Sequence, residues 1–277
     1  SFVTFAYFRF DQDAGHISYV DAGHTKAVLA RADETLLLEG DNLPLGVIGD
    51  EHYRQYEVPW QAGDILLLYS DGLTEAMNVN GEMFGTDRLS ELVTDLKRAQ
   101  VPTSILTQAV RVEISGFLDG SAPKDDSTCI AVGYDADEPA LAELLLPRET
   151  GQIATLRASV EKAAHAVGLE EEATQALILA VSETGANIVR HNPEPLPGSH
   201  FHVAISAVAG GLEVAFHYIG RPFDPVGADP DFSGGRDNGF GLYIVRNSVD
   251  EARYDALPHE VFRITLRKAS TASAAKD

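Results

Sequence analysis

Residues 64–72 read Asp-Ile-Leu-Leu-Leu-Tyr-Ser-Asp-Gly, an apolar run that stops at an aspartate followed by glycine. The run has the length of a buried strand and Gly72 permits a sharp turn, so we predict that Asp71 lies at the carboxyl end of a strand. Residues 125–133 read Asp-Asp-Ser-Thr-Cys-Ile-Ala-Val-Gly, a second strand-like run entered directly from two aspartates. Antiparallel pairing of the two runs would bring the carboxylates of Asp71, Asp125 and Asp126 together.

Clustered carboxylates repel one another unless a cation lies between them. Oxygen-only ligands suit hard ions such as Mg²⁺ or Mn²⁺, and neither motif places a His or Cys where it would suggest zinc. Asp71, Asp125 and Asp126 are therefore candidate metal ligands. Spacing alone leaves a second interpretation open, in which Asp-Gly and Asp-Asp are ordinary turn residues.

The composition limits the class of protein and its partners. A chain of 277 residues with 44% hydrophobic content is long enough for two domains. A formal net charge of −21 argues against nucleic acid or an anionic membrane as a partner. The single cysteine excludes an internal disulfide, and no apolar run is long enough to span a bilayer. Residues 1–8 have no basic leader and alternate like a strand, so we expect a cytoplasmic protein whose chain starts inside a sheet.

Hydrophobic patterning divides the chain into two α+β domains. The first half is dominated by strand patterns, with helical periodicity only in residues 88–97 and 103–117. Residues 134–139 are polar and end in proline, which indicates a linker. The second half has helical patterns over residues 153–167 and 170–189, a hairpin turning at Gly210-Gly211, a short helix over 242–249 and a last hairpin over 252–266. We therefore predict domains at residues 1–136 and 139–268, followed by a disordered tail at 269–277.

The predicted helix over residues 170–189 has a second polar constellation. Glu183 and Asn187 lie one turn apart on a stripe beside a packing face. A carboxylate and a carboxamide so placed could activate a water or hydroxyl and hold Mg²⁺ on a phosphate. Residues 234–242, which are glycine-rich and open the next helix, offer backbone amides for phosphate binding. A solvated helix face is the alternative, and Gly239-x-Gly241 alone is weak evidence.

In this order the motifs resemble two families. Residues 1–136 resemble the distal part of a PPM-type serine/threonine phosphatase domain of the SpoIIE and RsbU kind. That resemblance is carried by residues 19–24, 44–46, 70–76 and 125–128. Residues 139–268 resemble a GHKL ATPase domain of the anti-sigma-factor kinase group, through residues 182–187, 220–225 and 239–242. The resemblance implies an incomplete PPM β-sandwich with flanking helices, followed by a GHKL (Bergerat) α/β sandwich.

For the first domain, the resemblance implies a binuclear Mn²⁺ or Mg²⁺ site. Asp71 and Asp125 would be its catalytic ligands, with Asp126 beside them. In that mechanism a phosphoserine is hydrolysed without a covalent enzyme intermediate. The family places a further metal-binding Asp in a Gly-Asp-x-x-Gly-His-Gly element ahead of the point where this chain begins. The metal site is therefore expected to be incomplete in this chain.

For the second domain, the resemblance implies Glu183 as the catalytic base and Asn187 as a Mg²⁺ ligand. The glycines expected to contact the nucleotide are Gly220, Gly239 and Gly241. The family has an Asp that accepts a hydrogen bond from the adenine amino group where this chain has Tyr218. A phenol can accept that bond but is bulkier and uncharged, so the adenine slot is expected to be narrowed and binding of ATP with Mg²⁺ stays open.

These features lead to one leading function and two alternatives. The leading hypothesis is part of a bacterial partner-switching regulator that dephosphorylates a phosphoserine or phosphothreonine anti-sigma-factor antagonist. A sigma factor or an anti-sigma factor is a further candidate partner, and a homodimer is left open. The alternatives are a non-catalytic binding scaffold and an active anti-sigma serine kinase that acts through Glu183 and Asn187.

Overall fold

The computed structural model of the protein describes residues 1–31, 34–134, 140–191, 196, 198–221 and 240–270. The chain forms two compact units, Ser1–Asp137 and Glu138–Asp277. Helices and antiparallel strands occur in both, so the α+β expectation is confirmed.

The first unit is built on two antiparallel sheets. Their strands are β1 Phe5–Asp11, β2 His16–Ala22, β3 Ala27–Ala30, β4 Thr35–Leu38, β5 Tyr56–Pro59, β6 Ile65–Tyr69 and β7 Cys129–Gly133. One sheet has the order β1-β2-β5 and the other the order β4-β3-β6-β7. A shared apolar core, with Ile17 and Val58 from the first sheet and Leu29 and Leu66 from the second, packs the sheets together. This is the predicted β-sandwich.

Three helices complete the first unit, namely α1 Asp71–Thr74, α2 Gly85–Arg98 and α3 Thr103–Leu118. α2 packs against β3 and α3 packs against β7. The helix α2 buries Leu89, Leu92, Val93 and Leu96, which recur at helical spacing. Both longer helices therefore flank the second sheet, as the sequence pattern predicted.

The second unit is a two-layer α/β sandwich. Its elements are β8 Ala142–Pro147, α4 Gln152–Val167, α5 Glu171–His191, β9 His200–Val208, β10 Gly211–Ile219, α6 Phe240–Ser248, β11 Glu251–Ala256 and β12 Val261–Ala269. The antiparallel sheet has the order β11-β12-β10-β9-β8. Alternate side chains of the central strands, such as Phe201 and Phe216, pack with Leu177 and Val181 of α5 in one core. The helical stripe predicted to pack does so.

Several local predictions were wrong in detail. Residues 1–8 alternate like a strand, but β1 begins at Phe5, and Val3 makes an isolated bridge to Leu45. The loop of the β9–β10 hairpin is residues 209–210, because Gly211 already pairs with Val208 as the first residue of β10. The predicted tail begins one residue too early, since Ala269 belongs to β12.

Parts of three predictions lie outside the described residues: the end of the linker at 135–139, the glycine-rich segment up to Gly239, and the tail from residue 271 onwards. Within the described part of the chain, no helix combines the length and apolar character needed to cross a bilayer.

Candidate functional site

The acidic motifs of the first unit meet at one end of the β6–β7 pair. β6 and β7 are antiparallel with Tyr69 opposite Cys129, which confirms the predicted pairing. Asp71 follows the end of β6, and Asp125 and Asp126 precede the start of β7. Asp71 does not sit on the strand itself but is the first residue of the short helix α1. All three aspartates are exposed.

Ser70 extends the strand pairing beyond the ends of β6 and β7. Its backbone amide donates to the carbonyl of Thr128 at 2.9 Å, and its hydroxyl accepts from the Thr128 amide at 2.9 Å. The same hydroxyl donates to the carbonyl of Asp126 at 3.3 Å. Ser70, the residue before Asp71, is thus hydrogen-bonded to the backbone of both Asp126 and Thr128.

The structure requires glycine at residue 72 because of a close backbone contact, whereas the sequence pattern explained this glycine by a sharp turn. A Cβ atom on Gly72 would lie 2.4 Å from the carbonyl oxygen of Asp126, and real Cβ atoms essentially never come that close to another atom. The chain at residue 72 therefore passes directly against the backbone of Asp126. Only glycine allows this approach, which sets how near Asp71 lies to the second acidic motif.

Gly72→Ala is expected to push the backbone at residues 125–128 away from α1. The free energy of unfolding should fall by about 1–3 kcal/mol, the usual cost of forcing an extra carbon into a packed site. Urea unfolding of the variant and wild type measures this loss. Gly116→Ala is the matched control, since a Cβ on Gly116 in α3 meets nothing within 4 Å and alanine favours a helix. Equal stability of Gly72→Ala and Gly116→Ala would contradict the close approach.

The carboxylates at this end of the sheet are suitable ligands for a hard cation, but there are few of them. Carboxylate oxygens are the ligands that Mg²⁺ and Mn²⁺ prefer. One oxygen of Asp125 already accepts the amide of Asp126 at 2.8 Å. Within the described ranges, no cluster of three or more His, Cys, Asp or Glu side chains is placed to hold a metal ion. Asp71, Asp125 and Asp126 therefore fit part of a coordination sphere, and the prediction that they bind metal stays a prediction.

A cavity of about 350 Å³ lies beside the acidic motifs. Polar side chains of His24, Thr25 and Lys26 line it together with Ser70 and Thr128, and its remaining lining is mainly apolar. The hydroxyl of Thr25 donates to the carbonyl of Tyr69, the last residue of β6. The segment between β2 and β3 is therefore tied to the strand end that precedes Asp71.

Asp21 and Ser70 are polar residues whose roles sequence reasoning missed. Asp21 is buried at the end of β2, and its two carboxylate oxygens accept the backbone amides of His24 at 2.8 Å and Gly40 at 3.1 Å. This carboxylate is engaged in holding two loops together. Its place in the motif at residues 19–24 was a signal, but the contact with Gly40 depends on the fold.

In the second unit, Glu183 and Asn187 converge on the N-terminal turn of α6. A Cβ on Gly241 would lie 2.9 Å from Oε1 of Glu183 and 3.3 Å from Nδ2 of Asn187. Asn187 is buried and Glu183 is partly exposed. The stripe on α5 therefore faces a helix N-terminus at close range, where a side chain larger than glycine would displace both groups. This stripe of α5 is therefore not the solvated helix face of the alternative interpretation.

Of the other predicted nucleotide contacts, Tyr218 and Gly220 lie within the described residues. Tyr218 is fully buried in the core, with its ring 5.5 Å from that of Phe262. Gly220 follows β10 with a φ of 150°, a conformation that other residues rarely adopt, and its amide donates to the carbonyl of Glu260 at 3.0 Å. Gly239 lies outside the described residues. The prediction that these residues contact a nucleotide remains untested by the fold.

Comparison with known proteins gives a match for each unit. Residues 1–135 match the family model described as Stage II sporulation protein E (SpoIIE), and residues 146–268 match the model of the histidine kinase-like ATPase domain. Protein IcfG of Synechocystis is 30% identical over 132 residues, which are 47% of this chain and 20% of that protein. Phosphoserine phosphatase RsbU of Bacillus subtilis is 34% identical over 82 residues, 29% of this chain and 24% of that protein.

Both matched segments are a quarter or less of the curated relatives. Among solved structures, the RsbU and RsbW domains of Rv1364c from Mycobacterium tuberculosis are 22% identical with a TM-score of 0.44, covering 95% of this chain and 69% of that chain. The two family matches cover the two units in the order in which the motifs predicted them. Residues 1–135 thus belong to the SpoIIE-type phosphatase family and residues 146–268 to the histidine kinase-like ATPase domain family.

Proposed function

We propose that the protein is a metal-dependent phosphatase that hydrolyses the phosphoserine or phosphothreonine of an anti-sigma-factor antagonist in a bacterial partner-switching system. The observation that supports this proposal is that the chain on either side of Asp71 lies against the backbone of Asp126 at one end of the β6–β7 pair, through Ser70 and Gly72. The SpoIIE family match and the similarity to a phosphoserine phosphatase support the reaction class.

Asp71 and Asp125 would hold the divalent metal, with Asp126 beside them. A metal bound there activates a water molecule and neutralises charge on the phosphoryl oxygens. The chain itself keeps these carboxylates exposed, so a phosphorylated loop of another protein can reach them. Because residues 70–72 lie against residues 126–128, the two acidic motifs stay close without the metal.

The proposal is tested by phosphate release from a phosphoserine antagonist protein. The natural full-length protein is assayed while Mn²⁺ or Mg²⁺ is added back after chelation. We expect release only in the presence of metal, with saturation as the metal concentration rises. Release that is unaffected by chelation would overturn the metal-dependent assignment. No release with either metal would favour the alternative of a non-catalytic binding scaffold.

For the second unit we propose nucleotide binding, since Glu183, Asn187 and Gly241 converge at the N-terminus of α6. The positive end of that helix favours a phosphate group there. Phosphoryl transfer to a serine of a partner protein is the kinase form of this proposal, with Glu183 as the base. Tyr218, which is expected to narrow the adenine slot, is fully buried in the core.

Asn187→Ala is expected to weaken binding of ATP with Mg²⁺ at least about tenfold, because it removes the proposed metal-binding oxygen. Calorimetric titration measures the change. Gln175→Ala, which changes an exposed residue in the first half of the same helix, is the control and should bind as the wild type does. Equal affinity in both variants would refute the role of Asn187, and absence of labelled-phosphate transfer at millimolar ATP would exclude the kinase form.

A further inference from the structure

Ser70 is placed to control the separation of the two acidic motifs. Ser70 directly precedes Asp71, and its side chain makes hydrogen bonds with the backbone of the segment that leads into β7. Its hydroxyl accepts from the Thr128 amide at 2.9 Å and donates to the Asp126 carbonyl at 3.3 Å. Both hydrogen-bonding functions of the hydroxyl are thus used on backbone groups two residues apart.

No other side chain bridges these segments in the same way among the contacts described at this end of the sheet. The β6–β7 ladder ends with Tyr69 opposite Cys129, so the strands themselves do not fix residues 125–127. The backbone bond from the Ser70 amide to the Thr128 carbonyl holds only the start of β7. Among the described contacts, the carbonyl of Asp126 is approached from the Asp71 segment by the hydroxyl of Ser70 and by Gly72.

We propose that Ser70 is a positioning residue that sets the distance between the Asp71 carboxylate and the carboxylates of Asp125 and Asp126. The inference rests on the proposed phosphatase function. Without the hydroxyl, the loop before β7 loses its bond to the residue next to Asp71, and the two motifs sample a wider range of separations. A divalent metal would then bind less tightly, because part of its binding energy would be used to restore the distance.

The test is calorimetric titration of Mn²⁺ into the metal-free natural protein, without substrate. Groups that orient metal ligands typically change metal affinity by about 10- to 100-fold. We expect the Mn²⁺ dissociation constant of Ser70→Ala to rise by about tenfold or more, and that of Ser70→Thr, which keeps a hydroxyl, to stay near the wild-type value. Phosphate release by Ser70→Ala should recover largely at saturating Mn²⁺.

Thr35→Ala is the matched control. It removes the hydroxyl pair between Thr35 and Thr94, which lies in the same unit on β4 and α2. Both alanine variants should lose stability in thermal unfolding, but only Ser70→Ala should shift the Mn²⁺ dissociation constant. Wild-type Mn²⁺ affinity in folded Ser70→Ala would overturn the positioning role and leave the phosphatase proposal intact. If the wild type neither binds Mn²⁺ nor releases phosphate, both proposals fail.

Discussion

Asp71→Asn is expected to reduce metal-dependent phosphate release by about two orders of magnitude or more. Asparagine has nearly the same shape as aspartate, so α1 and the contacts of Ser70 with residues 126–128 should persist. The substitution removes one of the few negative charges available to the metal at this site. Changes that only orient a metal ligand already cost about 10- to 100-fold, and losing the charged ligand itself should cost more. Initial rates at saturating Mn²⁺ measure the effect.

Asp13→Asn is the control for this loss of charge. Asp13 is exposed on the turn between β1 and β2 and belongs to neither acidic motif. The variant should retain wild-type activity. A drop as large as that of Asp71→Asn would show that net charge rather than the site is responsible.

The pair Asp71→Asn and Asp125→Asn tests whether the two carboxylates act as one site. If they share a metal, the double variant should be little worse than the worse single variant, since removing either ligand already disables the site. Losses that multiply would mean that the carboxylates act independently. Unchanged activity of Asp71→Asn would refute the assignment of this site.

The sequence predicted the ends of the β6–β7 pair because an apolar run and an acidic stop are local signals. It could not show why Gly72 is glycine, since the obstacle is the carbonyl of Asp126, a residue more than fifty positions away. The role of Ser70 could not be predicted either, because its hydrogen-bond partners are also distant in the sequence. Roles that depend on where distant backbone passes cannot be inferred from local patterning.

Helical spacing was sufficient to find Glu183 and Asn187, because three- and four-residue intervals place side chains on one face. Helical spacing could not show which element this face contacts, because α6 packs against α5 only in the folded chain. The same holds for the buried histidines of the second unit. In sequence His202 and His217 are single polar residues in alternating strands, and only the β9–β10 register places them opposite each other.

In His217→Gln, the free energy of unfolding of the second unit is expected to fall less steeply as the pH is lowered. The imidazole of His217 is buried between its cross-strand neighbours His202 and Arg263. Burial, together with the positive charge that His202 and Arg263 place nearby, lowers the pKa of His217 from 6.5 to about 3. The group therefore stays neutral in the folded protein at a pH where an unfolded chain would bind a proton.

The sign follows from where the proton binds. Above pH 6.5 neither state is protonated at His217, so the group adds no pH dependence. Below pH 6.5 only the unfolded state gains the proton, and the free energy of unfolding falls by about 1.4 kcal/mol per pH unit until the pH approaches 3. Summed over that range, the single histidine costs up to about 5 kcal/mol. Burial also lowers the pKa of His202, against the opposing charge of Glu143, so His202 adds to the same slope.

Hydrogen–deuterium exchange of the β10 amides between pH 7 and pH 4.5, corrected for intrinsic rates, measures the opening free energy of this unit. In His217→Gln the curve should start lower, since a buried amide replaces the ring, but it should fall with a slope reduced by about 1.4 kcal/mol per pH unit. His165→Gln, on the exposed side of α4, should keep the wild-type slope. An imidazole resonance of His217 that titrates near pH 6.5 would contradict its buried, neutral state. The difference in slope between the two variants separates the buried proton site from a general effect of removing a histidine, because both variants lose one titratable ring and only one of those rings is buried.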